Sequence, residues 1–122
     1  MNRYDQYTKF IFMLIRLLLF AYRKRIPIRG GSWNRGLEEC RRNVEKGTGI
    51  LNSKHRYSLA VDLWIAAGPN GRQITWTRRG DTSETIDQFR AMGEYWEKLG
   101  GVWGGRFERF DPYHFEIKGD PA

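Results

Sequence analysis

A chain of 122 residues, 40% hydrophobic and 15% aromatic, has material for one core and excludes a multidomain design. Its single cysteine, Cys40, excludes an internal disulfide, so the fold stands without cross-links, as suits a reducing cytoplasm. The net charge of +7 invites an anionic partner, but the basic residues lie in scattered pairs with no helix-turn-helix, finger or RNP-like pattern, which argues against a nucleic-acid binder.

The first element is apolar. Phe10 to Tyr22 is broken only by Arg16, and Lys9, Arg16 and Arg23 recur every seven residues. On a helix those cations form one narrow stripe. This predicts a helix over about residues 8–24, largely surrounded by protein, with the cationic stripe in water. The run is short for a membrane span, and Arg16 sits near its middle. Tyr22-Arg23-Lys24-Arg25 follows where a signal peptide would carry small residues. A signal-anchor is the alternative, and no stable membrane insertion is expected.

Arg25 to Asn34, with Pro27, Gly30 and Gly31, reads as a loop. Asn34 can cap a helix whose apolar positions Leu37, Cys40 and Val44 recur at three and four, and Gly47 and Gly49 end it. His55 lies in the next loop. Leu59 to Ile65 is a short apolar run interrupted by one charge, which predicts a strand. Gly68-Pro69-Asn70-Gly71 is a turn signal leading to a second strand, Gln73 to Thr77. Asp81-x-x-Glu84 resembles a capping box, and Ile86, Phe89, Met92, Trp96 and Leu99 form the apolar stripe of the helix behind it. Gly100-Gly101 stops that helix, a loop runs to Asp111, and His114 to Lys118 reads as the last strand. Trp33, Trp64, Trp76, Trp96 and Trp103 suit core and groove walls. The whole is α+β: a small, mainly antiparallel sheet with helices packed on one face.

Side chains alternate along a strand, so Asp62 faces away from Val61 and Leu63, and His114 away from Phe115 and Ile117. If the two strands are neighbours with their apolar faces aligned, Asp62 and His114 project from one surface, and His55 can fold over it. Two histidines and a carboxylate make a metal site with one open position. The same residues also read as unrelated polar side chains, and spacing alone leaves both readings standing.

Ser53-x-His55 followed by Asp62, then Trp103-Gly104-Gly105, then Asp111-x-x-His114-Phe115, resembles the M15 family of zinc peptidases. Arg35-Gly36-Leu37-Glu38-Glu39-Cys40 is similar to the Arg-Thr-x-Glu-x-Gln segment that precedes the first ligand in that family, with Gly36 and Cys40 replacing Thr and Gln. Ser58 stands where the family often has Gly. The resemblance spans about residues 30–118 and implies a Hedgehog/DD-peptidase-like fold, with one zinc on the sheet face opposite the helices. It implies that His55, Asp62 and His114 bind the zinc, that Asp111 is the general base, and that Arg35 steadies the substrate carbonyl or oxyanion. Ser53 would orient the His55 loop.

The implied activity is cleavage of peptidoglycan stem peptides, as an L-Ala-D-Glu endopeptidase of a phage or prophage lysis system. The alternatives are a D-Ala-D-Ala carboxypeptidase and a non-enzymatic phage structural or binding protein of the same fold. The partner expected is bacterial peptidoglycan, with no nucleic acid, and the chain is expected to act as a monomer. Its expected place is the host cytoplasm before release to the cell wall, whose anionic polymers suit a basic surface.

Overall fold

The computed structural model describes residues 1–33, 42, 45, 54–67, 73–74 and 83–122. Helix α1, Arg3–Arg23, starts five residues earlier than its apolar run suggests, because the Asn2 side chain caps it by accepting from the Asp5 N–H at 2.9 Å. Strand β1 is Ile28–Gly30 and a 3-10 turn covers Lys54–Tyr57. Strand β2 is Ala60–Ala67, β3 is Gln73–Ile74, and helix α2 is Ser83–Lys98. Strand β4 is Gly101–Trp103, a second 3-10 turn is Gly104–Arg106, and β5 is His114–Ile117. Arg42 and Glu45 are helical. The Gly68–Gly71 turn, the Asp81 cap and the ends of the helix expected after Asn34 lie outside the described residues.

The sheet runs β1-β2-β5-β4, with β3 paired to the far end of β2, and every pairing is antiparallel. In the register of β2 on β5, Asp62 lies opposite His114 and Val61 opposite Phe115. Two strands were hidden in segments read as loops. Both β1 and β4 are three residues long and carry glycine, so neither offers enough alternation to be seen.

One face of the sheet carries the core. Leu63, Ile65, Phe115 and Ile117 pack with Phe10, Met13 and Leu17 of α1 and with Phe89, Met92 and Trp96 of α2. Each such large side chain, fully buried, contributes about 1.5–3 kcal/mol. The Trp96 indole N–H donates to the Glu116 carbonyl at 2.8 Å, which ties α2 to β5. The Trp103 indole N–H donates to the Pro112 carbonyl at 2.6 Å and ties the following loop to β4.

Two expectations about helices are corrected. Ile86 is exposed, and Thr85 takes its place in the buried stripe of α2 with Phe89, Met92 and Trp96. The expected stripe holds at Phe89, Met92 and Trp96, with Leu99 packed against the core, and fails only at its first position, where Thr85 and not Ile86 turns inward. Nor is α1 surrounded by protein. It buries Gln6, Phe10, Met13, Leu14, Leu17 and Ala21, while Ile11, Phe12, Ile15, Leu18, Leu19 and Tyr22 face outward. One sheet face can cover only one side of a helix, so an apolar stripe broader than that side is left exposed.

Candidate metal centre

The register of β2 on β5 puts the Asp62 carboxylate beside the His114 ring on the sheet face away from the helices. His55 reaches them from the 3-10 turn before β2, and all three are buried. Their inward atoms form a tight triangle. His55 Nε2 lies 3.1 Å from Asp62 Oδ1 and 3.2 Å from His114 Nδ1, and His114 Nδ1 lies 3.5 Å from the same carboxylate oxygen. Among the described residues these three are the group placed to hold a metal ion.

The outward nitrogens explain why the inward ones converge. His55 Nδ1 lies 3.3 Å from the Trp33 carbonyl, and His114 Nε2 lies 2.8 Å from Glu116 Oε1. Both partners accept, so each ring holds its proton on the outward nitrogen when neutral. Two ring lone pairs and a carboxylate oxygen then face one another, an arrangement that calls for a cation between them. A proton is one such cation. Burial opposes charge on His114, but its bonds to Asp62 and Glu116 outweigh burial and push its pKa up to about 9. Asp62 is held low in spite of burial, by bonds from His114 and His55. A divalent metal is the other, and the donor set suits one.

Glu116 was not singled out as functional in the sequence. It is two residues past His114 and therefore on the same strand face, which is the signal that could have found it. Lys54 braces it from the turn that carries His55: the ammonium donates to Glu116 Oε2 and, at 2.9 Å, to the Ile117 carbonyl. Burial would raise the Glu116 carboxyl, yet His114 and Lys54 hold it below its usual range.

The Trp-Gly-Gly segment shapes the other side. The Gly104 carbonyl accepts from the Phe107 and Asp111 N–H groups, and the Asp111 carbonyl accepts from the His114 N–H at 3.1 Å. A Cβ on Gly104 would overlap the Asp111 carbonyl oxygen and press on the His114 Cβ, so only glycine fits. Asp111 is thus a turn residue and a half-buried carboxylate at once. Its Oδ1 is buried with no hydrogen-bond partner among the described residues. Burial pushes its carboxyl up, and the Asp62 charge adds to this, while His114 and His55 oppose it. Tyr113, next to it, is pushed up to about 12 by burial and by Asp111. Trp64 stacks on Tyr113 with ring centroids 4.0 Å apart, and the Phe107 ring lies 5.7 Å from that of His114. These aromatics wall the site. Arg35 and Ser53 lie outside the described residues.

A family model described as D-alanyl-D-alanine carboxypeptidase, of the M15 peptidases, matches residues 46–117. That is more than half of the chain and contains His55, Asp62, Asp111 and His114. The chain belongs to the M15 peptidase family. It is therefore a hydrolase of a family of zinc metallopeptidases. A solved structure, the Serratia marcescens L-Ala D-Glu endopeptidase ChiX, shares the fold with a TM-score of 0.63 at 24% identity. That likeness covers 86% of this chain and 77% of ChiX. No curated protein sequence matches the chain. As an M15 peptidase, the chain keeps the α+β arrangement expected of it: helices on one sheet face, the His-Asp-His cluster on the other.

Proposed function

We propose that this M15 peptidase binds one zinc ion through His55, Asp62 and His114 and cleaves the L-Ala-D-Glu bond of peptidoglycan stem peptides. The observation that carries the reading is the buried triangle of donor atoms, with edges of 3.1, 3.2 and 3.5 Å. Nitrogen and oxygen ligands on a tetrahedral zinc stand about 3.3–3.5 Å apart, and a set of three leaves one position open. When bound there, zinc supplies a Lewis acid that polarises a scissile carbonyl and makes a water easier to deprotonate.

The chain's own residues would do the rest. Asp111 takes a proton from the attacking water and hands it to the amine as the C–N bond breaks. Its buried Oδ1 and raised pKa suit a group that must hold that proton between the two steps. Glu116 and Lys54 fix the His114 ring. Arg35 is assigned, from the motif alone, to steady the developing oxyanion.

The choice of bond is supported by the shared fold with an L-Ala D-Glu endopeptidase. The family description, D-alanyl-D-alanine carboxypeptidase, favours a second reading. That activity calls for a cation to grip a free carboxylate. Lys54, behind the cluster, is already engaged by Glu116 and the Ile117 carbonyl. The charge of +7 suits an anionic wall polymer, and the motif resemblance to M15 lysins is the ground on which we assign the enzyme to a phage or prophage lysis system. Metal analysis of the purified protein and mass spectrometry of a peptidoglycan digest test the proposal. Zinc at one per chain and new N-terminal D-Glu ends are expected. Release of free D-Ala alone would move the activity to a carboxypeptidase, and absence of zinc binding would remove the mechanism.

A further inference from the structure

Helix α1 presents a second apolar face that the fold does not use. Phe12 and Ile15 are 59% and 58% exposed, and Ile11, Leu18, Leu19 and Tyr22 are exposed with them. At about 100° per residue these six fall on one continuous arc, turned away from the buried side that carries Phe10, Leu14 and Leu17. Lys9, Arg16 and Arg23 run along one edge of the arc, and Lys24 and Arg25 follow the helix end. Asp5 is the one acidic residue in the helix, at its first turn. Arg16 already folds its guanidinium over the Phe12 ring, 5.6 Å from the centroid.

We infer that α1 docks this M15 peptidase on an anionic phospholipid bilayer, with the helix lying in the plane of the interface. An apolar arc bordered by Lys and Arg is what such a surface takes: the aliphatic and aromatic side chains enter the acyl boundary while the cations reach the phosphates. No described helix is long and apolar enough to cross a membrane, which leaves lying on the surface as the mode of contact. The charge decides against a second copy of the chain as the occupant. Another protomer would bring a further net charge of +7 and a second cationic stripe to the same contact. The sheet lies between α1 and the His55–Asp62–His114 cluster, because the helices pack on the Val61–Phe115 face and the cluster stands on the other. Docking through α1 therefore holds the site turned away from the bilayer. The inference does not rest on which bond the enzyme cuts.

The test is co-sedimentation of the full chain with vesicles of phosphatidylcholine containing phosphatidylglycerol, against vesicles of phosphatidylcholine alone. Binding to the anionic vesicles, weakened by salt, is expected. Arg16→Gln should lower it about fivefold, the worth of one cation near an anionic surface. Phe12→Ser/Ile15→Ser/Leu19→Ser should lower it about a hundredfold or more, since three large apolar side chains no longer enter the interface. Those side chains are largely exposed, so the triple variant should stay folded at the assay temperature and keep its metal content, with a melting temperature lowered by a few degrees at most by the helix propensity of serine. Failure of the wild type to bind anionic vesicles would overturn the inference, as would undiminished binding by the triple variant. A dimer seen by light scattering, abolished by the triple variant and without vesicle binding, would assign the arc to self-association instead.

Discussion

Replacing Glu116 with glutamine tests the proposed site through a residue outside its His55–Asp62–His114 donor set, one that bonds the His114 ring. The substitution keeps the shape and an acceptor for His114 Nε2–H, now at 2.8 Å, but removes the negative charge. Removal of an outer partner of a metal-binding histidine typically weakens metal binding about 10–100-fold. The proton competes for the same lone pair, so the apparent loss depends on pH. In the wild type without metal, burial opposes charge on His114, but Asp62, Glu116 and the Asp111 charge push its pKa up to about 9. At pH 7 a pKa near 9 means that zinc displaces a proton at a cost of about a hundredfold in affinity.

Losing the Glu116 charge moves the His114 pKa down toward the ordinary histidine value and relieves part of that competition. Near pH 7 the two effects oppose each other, and wild type and Glu116→Gln should bind zinc within about tenfold of one another. Near pH 9 the competition falls to about twofold in the wild type and less in the variant, and most of the deficit of about 10–100-fold should emerge. Competition against a chromophoric chelator across this range gives the ratio directly. A ratio that does not change with pH would refute the coupling drawn between Glu116 and His114. Equal affinity at pH 9 would show that Glu116 does not support the ring at all.

Three further outcomes follow from the same geometry. Asp111→Asn should keep zinc and the fold while turnover on peptidoglycan falls by about two to four orders of magnitude, and loss of zinc would instead make Asp111 a ligand. Gly104→Ala should lower both activity and zinc content, because its Cβ meets the Asp111 carbonyl oxygen and the His114 Cβ, and unchanged zinc affinity would show that the loop can yield. In α1, Leu17 is 0% and Leu18 39% exposed, so Leu17→Ala should destabilise by about 2–5 kcal/mol in denaturant melts and Leu18→Ala by about 1 kcal/mol or less.

Much of the site was legible in the chain because strand alternation is rigid. Once Val61 and Phe115 are assigned to the core, Asp62 and His114 have nowhere else to point, and the observed register places them opposite each other. His55 was harder, since a loop has no period. Its position depends on the Lys54–Tyr57 turn and on the Trp33 carbonyl, a backbone atom that no side-chain pattern announces. The brace from Lys54 to Glu116 joins residues 62 positions apart, and only the finished sheet brings them together. Strands β1 and β4 escaped because three residues with a glycine carry no readable alternation.

Helix α1 was misread for a different reason, and the error is informative. A run that is apolar on most of its circumference states that it avoids water, but not what it meets instead. The sequence points to a core helix because Lys9, Arg16 and Arg23 form one narrow stripe and the run is short for a bilayer. The fold chose otherwise: the sheet and α2 cover one side, and the second apolar arc stays outside beside a stripe of cations. Where local pattern and packing disagree in this way, the cause is usually an interaction that the isolated chain does not contain. Lys9, Arg16 and Arg23 are exposed, as the heptad stripe predicts, and if α1 docks on a bilayer as inferred they would lie at the boundary between lipid and water.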